Sequence, residues 1–398
     1  MRHLAQAIRR DRQKYYLYLL PNTMSLMPTI QSTLQRYQPE ILASLQSTIK
    51  RALSVTALHE ESNLAPFYGQ MQYHLGWVDA NFSPVSSNPG KLLRPMLLLL
   101  AFEATGEHNY DAETEQHTSS HLRRALPAAA SIELTHNFTL IHDDIEDGDR
   151  ERRHRSTLWN VWGIPQAINT GDGMFALARY ALWDVVDEGV EPSIAVQLGA
   201  VLDKACLVLA EGQYLDISFE NRDDISVAMY VDMIGRKTAT LMGCAAEMGA
   251  MLGTREAETI FRLRSFGFSI GIAFQVRDDL LGVWASTEEL GKTPAGDIYR
   301  RKKSLPALHA LENAETADQQ FLRQLYSQKT PITSIQVEEV LAIFERTHTK
   351  EYCRSYLIEQ CQKAHEALTN VPRNSNAIAR RAISDMEMLI RFVEATAK

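Results

Sequence analysis

Residues 134–153, LTHNFTLIHDDIEDGDRERR, join an apolar helical run to a dense cluster of charge. The run begins near Leu122, carries apolar residues at helical spacing through AAASIELTHNFTLI, and stops at HDDIEDGDRERR (142–153). A helix C-terminus bears partial negative charge from its unpaired carbonyls and favours Lys or Arg. Here Asp143, Asp144, Glu146 and Asp147 crowd it instead, so something cationic must compensate. Asp143 and Asp147 are four apart on one helical face, a spacing that lets two carboxylates share oxygen-loving divalent ions. The competing reading is a solvated acidic turn neutralised by Arg150, Arg152 and Arg153.

A second helix repeats the pattern. SFGFSIGIAFQVRDDLLG (265–282) is apolar and Gly-rich, and it too closes on an acidic pair, Asp278 and Asp279. Facing helices of a bundle supply inward carboxylates for metal sites, so the two pairs are expected to face each other across a cavity mouth. Magnesium suits such a mouth because it keeps several waters and binds through few carboxylates plus substrate phosphates. Cations for those phosphates lie nearby in sequence: Lys91 and Arg94 in GKLLRP (90–95), Arg152 and Arg153, Lys237 in RKT (236–238), and Lys292 and Lys302 in GKTPAGDIYRRKK (291–303). Arg offers a planar fork and Lys a mobile point charge. Each alone is more often a solvated surface residue. The order basic, acidic, basic, acidic, basic is what singles them out.

Helical spacing runs through most of the 398 residues and alternating β-branched runs are scarce, so the predicted class is all-α. Helices are expected at about 91–105, 120–142, 167–188, 193–219, 225–251, 255–283, 302–313, 317–328, 335–346, 350–369 and 375–396. The Pro- and Gly-bearing segments NFSPVSSNPG (81–90), WGIPQAINTGDG (162–173) and ASTEELGKTPAGD (285–297) are expected to be loops. Neither a repeat period nor a long linker is evident, which predicts one domain over residues 61–398 behind an N-terminal helical extension over 1–60. Basic residues before YYLYLL (15–20) weakly resemble a leader, but Asp11 interrupts them and no small-residue cleavage site follows. An amphipathic helix packed on the body or on a second subunit is expected there.

No run reaches the roughly 18 consecutive apolar residues of a membrane span. Hydrophobic residues at 45% and charged ones at 23% fit a globular core and not a disordered chain. A net charge of −8 gives no whole-chain field for nucleic acid, so an anionic ligand must be held by local cations or metals. Cys206, Cys244, Cys353 and Cys361 form no C-x-x-C pair and are too few for a disulfide framework, which predicts a reducing, cytoplasmic setting.

Taken together these residues resemble the trans-type polyprenyl diphosphate synthases, in particular the geranylgeranyl and farnesyl diphosphate synthase group. HDDIED is similar to the first aspartate-rich motif D-D-x-x-D at Asp143, Asp144 and Asp147, with Arg152 and Arg153 at the family's spacing behind it. FQVRDDLLG resembles the second motif, F-Q-x-x-D-D-x-x-D, except that Gly282 holds the last acidic position. GKLLRP resembles G-K-x-x-R-P, Lys237-Thr238 the K-T pair before the second motif, and GDIYRRKKSLP (296–306) the downstream lysine segment. The matched motifs run from Gly90 to Pro306.

The resemblance implies an isoprenoid synthase helical bundle around a central apolar cavity with both Asp clusters at its mouth. It implies three Mg2+ ions held by Asp143, Asp147 and Asp278, with Asp144 and Asp279 supporting, that grip an allylic diphosphate and stabilise the leaving pyrophosphate. Lys237, Lys292, Lys302 and Arg152 would complete the cage around that diphosphate. Lys91, Arg94, His136 and Arg153 would hold isopentenyl diphosphate for head-to-tail condensation, with Thr238 and Gln275 lining the reacting centre. Phe138 stands five before Asp143, where the family uses bulk to stop the growing chain, and the first motif lacks a two-residue insertion. The ring implies a product of fifteen or twenty carbons and the missing insertion tilts it to geranylgeranyl diphosphate, with farnesyl or longer products as alternatives, and the family implies a homodimer. Gly282 removes an outer carboxylate, and Leu92 stands where a basic residue is common, leaving one fewer cation for isopentenyl diphosphate. A class I terpene cyclase on the same fold should carry an Asn/Ser/Glu motif on the second helix and needs no isopentenyl site. Glu133 and His136 form an E-x-x-H signature of di-iron bundles, but no second copy completes it.

Overall fold

Amphipathic helices can bury their apolar stripes only against one another, and this chain does so in layers. The computed structural model describes residues 27–56, 63–85, 90–106, 120–220, 222–285, 295–372 and 376–397. The first half contains α1 (Met27–Thr56), α2 (Ala65–His74), α3 (Leu93–Thr105), α4 (Leu126–Glu146), a hairpin of β1 (Glu151–Arg152) and β2 (Arg155–Ser156), α5 (Leu158–Trp162), α6 (Ile164–Leu182) and α7 (Pro192–Phe219). Then follow α8 (Val227–Ile234), α9 (Thr240–Gly253), α10 (Ala257–Trp284), α11 (Gly296–Tyr299), α12 (Leu305–Asn313), α13 (Thr316–Ser327), α14 (Ser334–Arg346), α15 (Thr349–Thr369) and α16 (Ala377–Glu394). The main packed pairs are α4 with α6, α3 with α9, α9 with α10, and α10 with α15. Leu97 to Leu100 on α3 are fully buried, which explains why a four-leucine run sits at the centre of the bundle rather than in a membrane.

The all-α expectation holds, with four differences. WGIPQAINTGDG was expected to be a loop, yet α6 starts at Ile164. Pro165 lies in its first turn, where the missing N–H is an orphan in any case, and Gly171 lets α6 pack directly on the His142 ring. The single helix expected over 225–251 is broken by a π-helical turn, Gly235–Ala239, between α8 and α9. The 120–142 helix is a short 3-10 turn, Ser120–Arg124, followed by α4, which runs on through Glu146. By length and composition α7 is long and apolar enough to cross a membrane, alone in this among the described residues, with 44% of its apolar window buried in the fold. Charged residues such as Asp203 and Lys204 interrupt its run, which is why a count of consecutive apolar residues passes it by.

Within the expected extension, α1 does not stand apart. Tyr37, Ile41, Leu45 and Ile49 recur at helical spacing and join the same core as α3 and α4. The Tyr37 hydroxyl donates to buried Glu103 on α3 at 2.7 Å, and Arg36 pairs with Asp385 on α16 at 2.6 Å.

Candidate active site

Both acidic clusters open onto one cavity of about 650 Å³. Asp143 in the last turn of α4 and Asp278 on α10 line it, together with Lys91, Arg94, His136, Arg152, Arg153, Lys237, Thr238 and Gln275. Leu209, Leu241, Met242 and Phe274 give it an apolar wall. Asp144, Asp147, Asp279, Lys302 and Phe138 stand outside that lining, and Lys292 lies outside the described residues. Phe138 packs edge-on against Phe175 of α6, ring centres 5.0 Å apart.

Each Asp pair is divided in the same way. The first member faces the cavity and the second is tied into the fold. Asp144 is 2% exposed and accepts from Arg152 Nε at 2.6 Å. Asp279 is fully buried and accepts from Gln275 Nε2 at 3.2 Å, from the Leu305 amide at 3.3 Å and from the Tyr230 hydroxyl, with Lys302 Nζ at 3.4 Å. Asp144 Oδ1 and both oxygens of Asp279 already face protein donors, an arrangement that fits a supporting place behind Asp143 and Asp278. Asp147 caps the C-terminus of α4 in the open.

Lys237 projects from the π turn, where one extra residue per turn re-aims the side chain. Its Nζ lies 2.5 Å from Asp216 and 4.0 Å from Asp143. Burial alone would lower this ammonium, but Asp143 and Asp216 outweigh it and hold the group above the usual lysine range. The turn fits against α7 because position 212 is glycine: a Cβ there would lie 2.3 Å from the Lys237 amide nitrogen. Thr238 Oγ1 donates to Gln275 Oε1 at 3.2 Å, which extends the network to Asp279. Asp216 was missed in the sequence because a single carboxylate near a helix end carries no motif. The π turn has no residue signature at all.

Across the cavity the cations are held by a buried set. Arg94 Nη1 lies 3.1 Å from His136 Nε2, while Arg94 Nε has no protein partner. Burial, then Arg94 and Arg153, hold His136 well below the usual histidine range, so it is a neutral acceptor that orients Arg94. Glu133, also unassigned from sequence except as part of E-x-x-H, accepts from Asn137 at 2.8 Å. Burial raises its carboxyl against the opposing pull of that hydrogen bond and of Arg94 and Arg153. Arg153 and His154 form the hairpin turn with φ of 52° and 61°. Two-residue turns of this hand favour Asn-Gly, so holding Arg and His there costs backbone energy, a pattern common at functional sites.

The donors at the mouth are hard carboxylate oxygens, which fit magnesium. Among the described residues no three His, Cys, Asp or Glu side chains converge as a ready-made ligand set. A site of one or two carboxylates fits magnesium, which keeps several waters and takes further oxygens from a phosphate ligand. Burial pushes Asp143 up to about 6 against the pull of Lys237, and Asp144 up to about 6 against Arg152. Between the ordinary Asp value of about 4 and that value the native state binds more protons than the unfolded chain, so these groups cost stability as pH rises through the window. In chelator, Asp143→Asn should melt close to wild type near pH 4 and above it by pH 7. A melting difference that stays constant or reverses over that range would refute the assignment.

Residues 76–344 match the Polyprenyl synthetase family. The chain is 35% identical over 322 residues to the geranylgeranyl diphosphate synthase of Mycobacterium tuberculosis, covering 80% of this chain and 86% of that one. It is 37% identical over 275 residues to the (2E,6E)-farnesyl diphosphate synthase of the same organism, covering 69% and 71%. The fold is similar to the crystal structure of a polyprenyl synthetase from Streptomyces coelicolor, with a TM-score of 0.78, 32% identity, and coverage of 92% and 99%.

Proposed function

The chain belongs to the polyprenyl synthetase family of trans-prenyltransferases, enzymes of prenyl chain elongation, and from that membership we propose that it condenses isopentenyl diphosphate head to tail with an allylic diphosphate to make geranylgeranyl diphosphate. The observation that carries the reading is a single cavity bearing Asp143 and Asp278 from two helices, with Lys91, Arg94 and Arg153 among its lining cations. A terpene cyclase would have no use for that second basic set.

In this reading Asp143, Asp147 and Asp278 would hold magnesium with the allylic diphosphate, and Lys237, Lys302 and Arg152 would neutralise the rest of its charge. The family is magnesium-dependent, and when bound the ions stabilise the negative charge of the departing pyrophosphate. The allylic C–O bond breaks, the isopentenyl double bond attacks the resulting cation, and the released pyrophosphate takes the proton lost from the new chain. Arg94, oriented by His136, and Arg153 grip the isopentenyl diphosphate through their planar forks. The Thr238 and Gln275 dipoles face the reacting centre. Phe138, packed on Phe175 outside the cavity lining, would limit the product only where the growing chain reaches past that lining. The test is uptake of labelled isopentenyl diphosphate into an acid-labile product, expected only with magnesium and an allylic partner present. Release of hydrocarbon from the allylic diphosphate alone would replace this reading with a cyclase.

The exposed faces of α6 and α7 carry Ile164, Ile168, Val196, Leu207 and Tyr214, each between 44% and 71% exposed. Such an apolar face beside the cavity marks an association surface, and we assign it to a second copy of the chain. Sedimentation as a single 44.9 kDa species would remove that assignment.

A further inference from the structure

Position 282 is the last acidic position of the second aspartate motif, and here it is glycine. A Cβ built on Gly282 would lie 2.3 Å from Asp297 Oδ2 and 2.5 Å from Asp297 Cγ. The niche beside α10 at this position is thus filled by a carboxylate delivered from α11. Asp297 is only 4% exposed. Its Oδ1 pairs with Arg300 Nη2 at 2.7 Å, and its Oδ2 stands 3.9 Å from Lys302 Nζ. Lys302 is 3.4 Å from Asp279 on its other side. A lysine ammonium on a flexible four-carbon stem needs such flanking anions to hold one direction. Burial lowers the Lys302 ammonium, but Asp279 and Asp297 overcome this and raise it, and Asp216, the partner of Lys237, adds to the effect. Lys302 therefore belongs electrostatically to the same cluster as Lys237.

We propose that Asp297 is a positioning residue that takes over from the carboxylate missing at Gly282 and, with Asp279, aims Lys302 at the allylic diphosphate. The ligand's identity rests on the functional reading above; the geometry does not. The test uses the full chain and calorimetry of inorganic pyrophosphate with magnesium, alongside steady-state kinetics. Asp297→Asn is expected to weaken pyrophosphate binding and raise the allylic KM by about tenfold, as loss of an outer-shell partner does, with kcat within about threefold. The double variant Gly282→Asp/Asp297→Gly moves the carboxylate back onto α10 and is expected to restore both values to within about threefold of wild type. Unchanged pyrophosphate affinity in Asp297→Asn would overturn the assignment, as would a double variant that binds no better than the single one. Should Asp297→Asn fail to fold, the double variant decides: regained folding and binding support the assignment, and their absence ends it. Wild-type failure to incorporate isopentenyl diphosphate, with pyrophosphate binding still sensitive to Asp297, would defeat the functional reading and leave this assignment standing.

Discussion

Replacing Asp143 by Asn is expected to lower kcat by about 100- to 1,000-fold, the usual cost of removing one group that stabilises transition-state charge. The substitution is nearly isosteric and removes a carboxylate that burial raises to about 6, so the fold should survive with unchanged helical content. In the proposed mechanism the loss would arise in the chemical step, because the carboxylate would hold magnesium against the leaving pyrophosphate. Asp279→Asn should behave differently. Asp279 is fully buried and accepts from the Tyr230 hydroxyl and the Leu305 amide, so its loss unsettles the contact between α10 and α12 as well as turnover. Steady-state kinetics at saturating magnesium, paired with thermal unfolding, separate the two. Asp143→Asn with kcat within tenfold of wild type would contradict its assignment.

Gly212→Val is expected to cost about 100-fold in kcat/KM, since displacing a positioned group by about 1 Å is worth that much. Its Cβ would meet the Lys237 amide nitrogen at 2.3 Å and Cα at 2.7 Å, and a backbone cannot swing aside as a flexible side chain can. Helix α7 and the π turn must then separate, which also destabilises by about 2 kcal/mol, as overpacking generally does. Position 212 and Asp216 lie one turn apart on α7, so the helix that gives the turn its room also supplies the anion for Lys237. Gly212→Ala should show the same direction at smaller size. Wild-type kcat/KM in Gly212→Val would show that the seat of Lys237 is not confined by α7.

The helical class was legible because apolar spacing is a local property, and the Asp clusters were legible because acid at a helix C-terminus opposes the dipole. The division of labour inside each pair came only from the family resemblance, since neither charge nor spacing distinguishes the two members. Asp278 and Asp279 are equivalent in sequence, yet one is turned to the cavity and the other to Tyr230, a consequence of helical rotation by one residue. The WGIPQAINTGDG segment misled because Pro and Gly punctuate loops on average, while here Pro165 and Gly171 serve a helix start and a close approach. Asp216 and Asp297 had no motif to announce them. Their importance comes from what tertiary packing brings beside Lys237 and Lys302.

The most direct test of the central claim is product identification by mass spectrometry. The wild-type chain and magnesium would be incubated with isopentenyl diphosphate plus dimethylallyl, geranyl or farnesyl diphosphate in turn. Linear diphosphates that grow by isopentenyl additions and stop at twenty carbons are the predicted result. Cyclic hydrocarbons or alcohols formed without isopentenyl diphosphate, or no turnover with any starter, would contradict it.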